Sequence, residues 1–567
     1  FVIYGEPQSG KTEMMICLTA RLLDDGFKWV VLLLNDSVDL LDQNLTRFQR
    51  AALDPTPTNY TDLLDPDFRL KTDTFVVFCK KNARDLEKLL SIVKRSNDLI
   101  VLDDEADYAS PNTKINQQDQ SRINSLIADL LGTQGIYVGI TATPARLDLN
   151  NTFNNKSPRW VKFPPHENYR GQETFFPTVL PENPGFILKL LPDTRDDPKY
   201  LREALFSFFV SCADMNLGSD RIENYCFLIH TSGKKADHSE DYKTVRQVLS
   251  VLSGNLESER TRRYLDELYE IAEARFPGRG QGIVHWFVQR RNMSHIVLMN
   301  SDSDKTISDF SKATNPAFVF TIAIGGNIVS RGVTFENLLG MFFTRDVKHK
   351  IQQDTYIQRA RMFGSRGRYL RNFQLTVPQG LYEDWRRCFI FHRLSLQSIQ
   401  ADLGAPVWLE GKRVSTAASS SIDKANVSVT HGEMGFSIFS YNSLIEGILE
   451  SKRPALDLLG ELQRVVGIEG CPDFVIELIR DLSAHGESST YIFPTTRIEE
   501  YKDADPIAIC RKNGGAIRGF TASERAGKAA NAVHLLKVFR NDLGMARLYY
   551  KYSGGLTKVK NKRHERI

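Results

Sequence analysis

The chain has 567 residues, 41% hydrophobic, 25% charged and 10% aromatic, an ordinary globular composition that excludes a disordered or fibrous chain. Its length allows three or four domains at roughly 150 residues each. The net charge of +4 neither demands nor excludes a nucleic-acid partner, and no apolar run approaches the roughly 18 residues of a membrane span.

Charge is unevenly placed. Residues 511–567 hold 14 Lys and Arg against 3 acids, which is +11 and leaves −7 on the other 510 residues. A basic end on an acidic body suits nucleic acid or another acidic partner, or is simply a solvated terminus. Seven cysteines are scattered with no C-x-x-C spacing, which predicts reduced thiols in a cytoplasmic protein, not a disulfide frame or zinc site. The chain opens on Phe1, directly on a strand, so an upstream portion is expected.

Taken in chain order, Phe1–Tyr4 is a short apolar run leading into a Gly-rich turn and a helix over 11–23. Apolar runs at 29–34, 74–79, 99–102 and 135–140 read as buried strands with helical stretches between them. Short, near-continuous apolar strands of this kind belong to a parallel sheet covered on both faces. Residues 1–150 therefore read as one α/β lobe. Residues 151–198, rich in Pro, Asn and aromatic side chains, read as a connector or insertion. A helix to about 216, strands at 225–230, 296–299, 318–324 and 340–344, and helices over 236–275 make 199–400 a second α/β lobe. Residues 401–567 form an accessory region of loops, helices and short strands.

Gly5-Glu6-Pro7-Gln8-Ser9-Gly10-Lys11-Thr12 fits G-x-x-x-x-G-K-[ST] between a strand and a helix. Its glycines, with Ser9, let backbone N–H groups close on phosphate oxygens at a helix N-terminus. Lys11 neutralises the β- and γ-phosphates and the Thr12 hydroxyl ligates Mg²⁺. Further on, the strand 99–102 runs into Asp103-Asp104-Glu105-Ala106-Asp107. Carboxylates at the sheet's C-terminal edge face the phosphate loop. Asp104 is assigned to the metal and Glu105 to activation of water, with Asp103 an alternative metal ligand, because one residue of register flips the face. Thr141-Ala142-Thr143-Pro144 follows the fourth strand.

These three motifs, in this order, resemble the first RecA-like lobe of superfamily 2 helicases and translocases. The resemblance implies ATP hydrolysis coupled to movement on nucleic acid, with Thr141 and Thr143 linking the two. The second lobe carries Gly325 to Thr334 (GGNIVSRGVT) and Gln358 to Arg366 (QRARMFGSR), which resemble helicase motifs five and six. By that resemblance Gln358, Arg361 and Arg366 face the triphosphate, Arg361 or Arg366 being the arginine finger. Ser330, Arg331 and Thr334 lie near the ATP and nucleic-acid surfaces. The arginine spacing departs from the common Q-x-x-x-R-x-x-R.

Finer detail narrows the likeness. DDEADYASPNT (103–113), ITATPAR (140–146), FLIHTS (227–232), SRGVTFE (330–336) and QRARMFGSR (358–366) resemble the family that carries the Z1 domain. That family is bacterial, is found with restriction-type and phage-defence genes, and is named for an endonuclease role. The resemblance implies an α/β fold of two RecA-like P-loop lobes with an accessory α+β C-terminal region. It also implies ATP and Mg²⁺ as cofactors, and as partners nucleic acid, DNA before RNA, and other defence proteins, with no membrane. An ATP-gated endonuclease and a regulatory ATPase scaffold are the alternatives. The residues offer little for a nuclease: outside the ATP motifs no strand-borne D…E-x-K cluster occurs, and His230 reads as a core histidine. Trp160, Phe163, Tyr169, Phe175 and Phe176 read as packing under a loop. Tyr549, Tyr550 and Tyr552, interleaved with Arg547 and Lys551, are the better candidates for stacking on bases.

Overall fold

The computed structural model describes residues 1–563 apart from 66–72, 94–97, 153–158, 178–179, 193–197, 232–234, 300–313, 327–332, 345–349, 401–406, 432, 482–488, 499, 502–508, 511–515, 518–519, 521–526, 528 and 554–556. The chain divides into two compact units, Phe1–Arg386 and Arg387–Ile567.

The first unit holds two parallel sheets. Strands β1 (Val2–Tyr4), β2 (Trp29–Leu34), β3 (Thr58–Asn59), β4 (Phe75–Lys80), β5 (Leu99–Asp104), β6 (Ile136–Thr141) and β7 (Trp160–Lys162) form the first, in the order β3-β4-β2-β5-β6-β1-β7. Helices α1 (Lys11–Asp24), α2 (Val38–Arg50), α3 (Ala83–Ile92) and α4 (Arg122–Leu131) cover it. Side chains alternate along each strand. Val31, Leu33, Val77 and Val101 pack with Leu86 and Leu89 of α3 and Leu126 and Leu130 of α4. Val30, Leu32, Val76, Ile100 and Leu102 pack on the opposite face with Met15 and Leu22 of α1 and Leu41 and Phe48 of α2. Burial on both faces explains why these strands read as apolar runs without alternation. Ser37 and Asn82 start α2 and α3, each accepting a hydrogen bond from the backbone N–H three residues on.

The second sheet consists of β8 (Ile187–Leu191), β9 (Tyr225–His230), β10 (Ser294–Met299), β11 (Phe320–Gly325), β12 (Leu338–Phe343) and β13 (Gln374–Pro378), in the order β10-β11-β9-β12-β13-β8. Helix α5 (Pro198–Asn216) lays Phe208 and Phe209 against Phe227 and Phe320 of this sheet. His230 is fully buried beside Phe343.

The stretch 151–198 does more than link the lobes. Its β7 pairs with β1 and its β8 pairs with β13, so it supplies the edge strand of each sheet. Phe175 and Phe176 are fully buried among Phe186, Phe363, Tyr382 and Trp385, the packing expected of them.

The second unit is α+β. Strands His534–Arg540 and Met545–Tyr552 form an antiparallel hairpin that also pairs with Glu433–Gly435 and Thr490–Ile492. Val407–Glu410, Thr557–Asn561 and Val427–His431 make a second antiparallel sheet. Most of the aromatic and basic run in the hairpin is not an exposed stacking face. Tyr549 and Tyr550 are fully buried, Arg547 is 6% exposed, and Lys537 lies buried over the rings of Phe493 and Phe539. Packing on both faces of the sheet, Tyr549 against Phe539 and Ile498 and Tyr550 beside His534, makes these side chains core, which corrects the stacking assignment for Arg547, Tyr549 and Tyr550, while Lys551 and Tyr552 are half-buried. Among the described residues no helix is long and apolar enough to cross a membrane.

Candidate nucleotide site

The phosphate loop leaves β1 between β6 and β7, at the C-terminal edge of the sheet. Gly10 sits at φ +97° with open space where a side chain would be, and Gln8 also takes a left-handed conformation at φ 57°. Glycine adopts that backbone without strain, so the loop can curl and present N–H groups to an anion. The Lys11 ammonium donates to the carbonyls of Glu6 (2.7 Å) and Gly5 (3.2 Å). Burial lowers its pKa, while Asp104 and Glu105 nearby act to raise it. Ser9 is buried within the loop, its backbone N–H donating to the Glu6 carbonyl. Two groups from the 151–198 stretch brace the loop. The Tyr169 hydroxyl donates to the Pro7 carbonyl at 2.6 Å, and the Gln172 N–H donates to the Glu6 carboxylate at 2.9 Å.

Strand alternation separates the two adjacent aspartates. Asp103 continues the Val101 face, against α3 and α4, and is fully buried. It pairs with Lys81 at 2.9 Å and accepts from the Tyr137 hydroxyl at 2.6 Å. Asp104 continues the Leu102 face, that of α1, and lines a cleft with Gly10, Lys11, Thr12, Glu105, Thr334, Gln358 and Arg361. Burial, then the neighbouring Glu105 charge, pushes the Asp104 pKa up to about 7. Glu105 stands at φ 48°, a left-handed conformation that is uncommon for a residue with a side chain. Its carboxylate accepts from the Asn35 amide, just past β2, at 2.5 Å.

Asp107, the last residue of D-E-A-D, is the centre of a buried network and was missing from the residues selected by sequence. It accepts from the hydroxyls of Thr141 (2.7 Å) and Thr143 (2.9 Å). It also accepts from the Gln358 amide at 2.9 and 3.1 Å. Gln358 ends helix α6 (Gln353–Gln358) of the second lobe, so one carboxylate joins the T-A-T-P loop to the other side of the cleft. Arg146 and Asp354 make a second bridge between the lobes, at 3.8 Å.

The two candidate fingers differ. Arg361 is 4% exposed and lines the cleft. Arg366 is equally buried, but its guanidinium donates to the Tyr369 hydroxyl at 2.8 Å, to the Phe335, Met362 and Arg361 carbonyls, and to the Gln8 side chain. Thr334 lines the cleft, whereas Ser330 and Arg331 lie outside the described residues. Lys81, Asn35 and Tyr169 carried no motif signal. Asp107 did, as the fourth letter of a motif already in view.

A phosphate loop, a carboxylate turn and a partner-lobe arginine around one cleft define a P-loop ATPase of two RecA-like lobes. Family models agree: residues 2–157 match the SWI2/SNF2 ATPase and residues 200–401 match the Z1 domain. The first of these makes the chain an ATP hydrolase by domain type. Among solved structures, the chain is similar to Saccharomyces cerevisiae Dbp5 bound to RNA and ADP-BeF3, at 13% identity and a TM-score of 0.38, over 70% of this chain and 82% of that one. It is similar to the Mycobacterium smegmatis helicase Lhr bound to single-stranded DNA and AMP-PNP, at 13% and 0.34, over 70% and 46%. It is also similar to the E. coli DExH-box NTPase HrpB, at 12% and 0.32, over 67% and 40%. A search of curated protein sequences found no match.

Proposed function

We propose that the chain is an ATP- and Mg²⁺-dependent, DNA-stimulated helicase or translocase of a bacterial anti-phage or restriction-type defence system, acting in the cytoplasm with other defence proteins. Its working parts are a first lobe over 1–150, a connector over 151–198, a second lobe over 199–400 and an accessory region over 401–567. The DNA and defence parts rest on the resemblance to Z1-bearing proteins. The motor part rests on one observation: the buried Asp107 network ties the loop after β6 to Gln358 of the opposite lobe. A group that can make or break that network as the lobes close is what coupling requires.

In this reading the loop N–H groups and Lys11 bind the triphosphate. The donor set fits Mg²⁺: a hydroxyl on Thr12 and a buried carboxylate on Asp104 share the cleft, and such an ion keeps water and phosphate oxygens as its remaining ligands. When bound, it neutralises charge on the β- and γ-phosphates. Asn35 orients the Glu105 carboxylate, which takes a proton from the attacking water. Arg361 meets the charge that spreads over the γ-phosphate in the transition state.

The test is ATP turnover by the full chain with and without DNA. Stimulation that disappears in Lys11→Ala supports the motor. For the alternative, an ATP-gated endonuclease, nicking that requires ATP, stops with EDTA and is lost in Lys11→Ala, with ATP turnover indifferent to DNA, is the outcome that would replace it.

A further inference from the structure

The side chain of Lys81 is fully buried directly beneath the D-E-A-D turn, and the motor reading leaves it without a task. It follows β4, and its backbone N–H donates to the Leu34 carbonyl at 2.7 Å, which fixes it beside the end of β2. Its ammonium lies 2.9 Å from Asp103 Oδ1, 2.7 Å from the Asp104 carbonyl, 3.0 Å from the Glu105 carbonyl and 3.1 Å from the Tyr108 carbonyl. An ammonium has three protons, so four acceptors share them.

Three of those four acceptors are main-chain oxygens of the turn that carries the proposed metal ligand and base. A lysine retained for ion pairing alone needs only Asp103. Gathering three carbonyls at one point instead folds residues 104–108 around a single charge. The result is seen in the backbone. Glu105 is held at φ 48°, its carbonyl also accepts from the Tyr108 N–H at 2.9 Å, and its side chain reaches Asn35. A left-handed residue without glycine's freedom persists only where its surroundings over-determine it. Lys81 supplies that constraint from below and Asn35 supplies it from the cleft side.

We propose that Lys81 is a positioning residue for ATP hydrolysis: by clamping the Asp104, Glu105 and Tyr108 carbonyls it sets the turn that aims the Glu105 carboxylate. The inference rests on the motor reading, in which Glu105 activates water. It assigns Lys81 no contact with ATP, so nucleotide affinity and turnover respond differently when it is changed.

The test compares the full-length wild type with Lys81→Met, the double variant Lys81→Met/Asp103→Asn, and Lys81→Gln. Each is measured for thermal unfolding, for binding of a fluorescent ATP analogue, and for kcat and KM of ATP turnover. The single Lys81→Met leaves a buried, unpaired Asp103 and loses stability. In the double variant neither charge remains, and the amide oxygen that replaces the Asp103 carboxylate still accepts from Tyr137. The double variant is expected to recover most of the unfolding temperature and to bind the analogue like wild type, with kcat down about tenfold to a hundredfold. A purely structural lysine predicts the opposite, recovery of kcat together with stability, and that result overturns the proposal. If the double variant does not fold, Lys81→Gln decides. Its neutral amide has two donors, so kcat falls at near-normal KM if the clamp matters, and wild-type kcat in folded Lys81→Gln overturns it. A wild-type chain without ATP turnover overturns the motor reading itself, and the Lys81 inference with it.

Discussion

The interlobe cleft and the C-terminal hairpin both hold basic residues away from bulk solvent, yet they use them differently. In the cleft, Lys11 and Arg361 are held around open space with Asp104 and Glu105. In the hairpin, Lys537 and Arg547 are buried with Tyr549 and Tyr550 in the core of a sheet. The +11 excess of residues 511–567 therefore overstates the charge this region offers to a partner. A charged residue's role follows from what its strand or loop faces, and parity along a strand decides that more sharply than local composition does.

Substitutions on the two sides test this contrast. The largest effect is expected at Arg361. Arg361→Ala should lower kcat by about 10³- to 10⁵-fold, as loss of an arginine finger does. Arg366→Ala should cost less turnover and more thermal stability, because its guanidinium holds Tyr369 and the carbonyls around it. The reverse ranking in paired kinetics and melting curves would exchange their roles. Glu105→Gln comes next, with kcat lower by about 10²- to 10⁴-fold and nucleotide binding retained. Gln358→Ala should keep most basal turnover and lose stimulation by DNA, because it cuts the link to Asp107 without touching the phosphate loop.

The hairpin should respond in stability instead. Arg547→Ala is expected to cost about 1–3 kcal/mol in denaturant melts and to leave DNA stimulation unchanged. Lost stimulation at unchanged stability would return this run to the nucleic-acid surface. The smallest effect is on pH dependence. Burial lowers the His534 pKa to about 4. The unfolded chain takes up a proton below about pH 6.5 that the folded chain refuses, so this histidine withdraws stability as pH falls from about 6.5 toward 4. His534→Phe should flatten that part of a stability–pH curve. An unchanged slope would place the acid sensitivity elsewhere.

Much of the first lobe was legible in the sequence, for a physical reason. Phosphate and metal chemistry demands particular residue types at particular spacings, so Lys11, Thr12, Asp104 and Glu105 stand out as candidates. The strands were legible too, because burial on both faces leaves an apolar run; β2 and β9 fall on the residues expected and most others within two. What could not be read were contacts to main-chain oxygens. Lys81 and Tyr169 act on carbonyls of residues 104–108 and of Pro7, and every residue has a carbonyl, so no residue pattern marks the partner. The edge strands at 160–162 and 187–191 were hidden in a stretch whose prolines and asparagines read as loop. In the hairpin, charge at Arg547 suggests exposure, whereas packing of residues such as Ile498 and Phe520 over the strand at 534–540 buries it.

The central claim is that ATP turnover in this cleft answers to DNA. It is tested most directly by the steady-state ATPase rate of the full wild-type chain with single-stranded DNA, duplex DNA, RNA and no nucleic acid, with Lys11→Ala as the background. DNA is expected to raise the rate above the basal value, and Lys11→Ala to abolish both. A basal rate unchanged by every nucleic acid would contradict it.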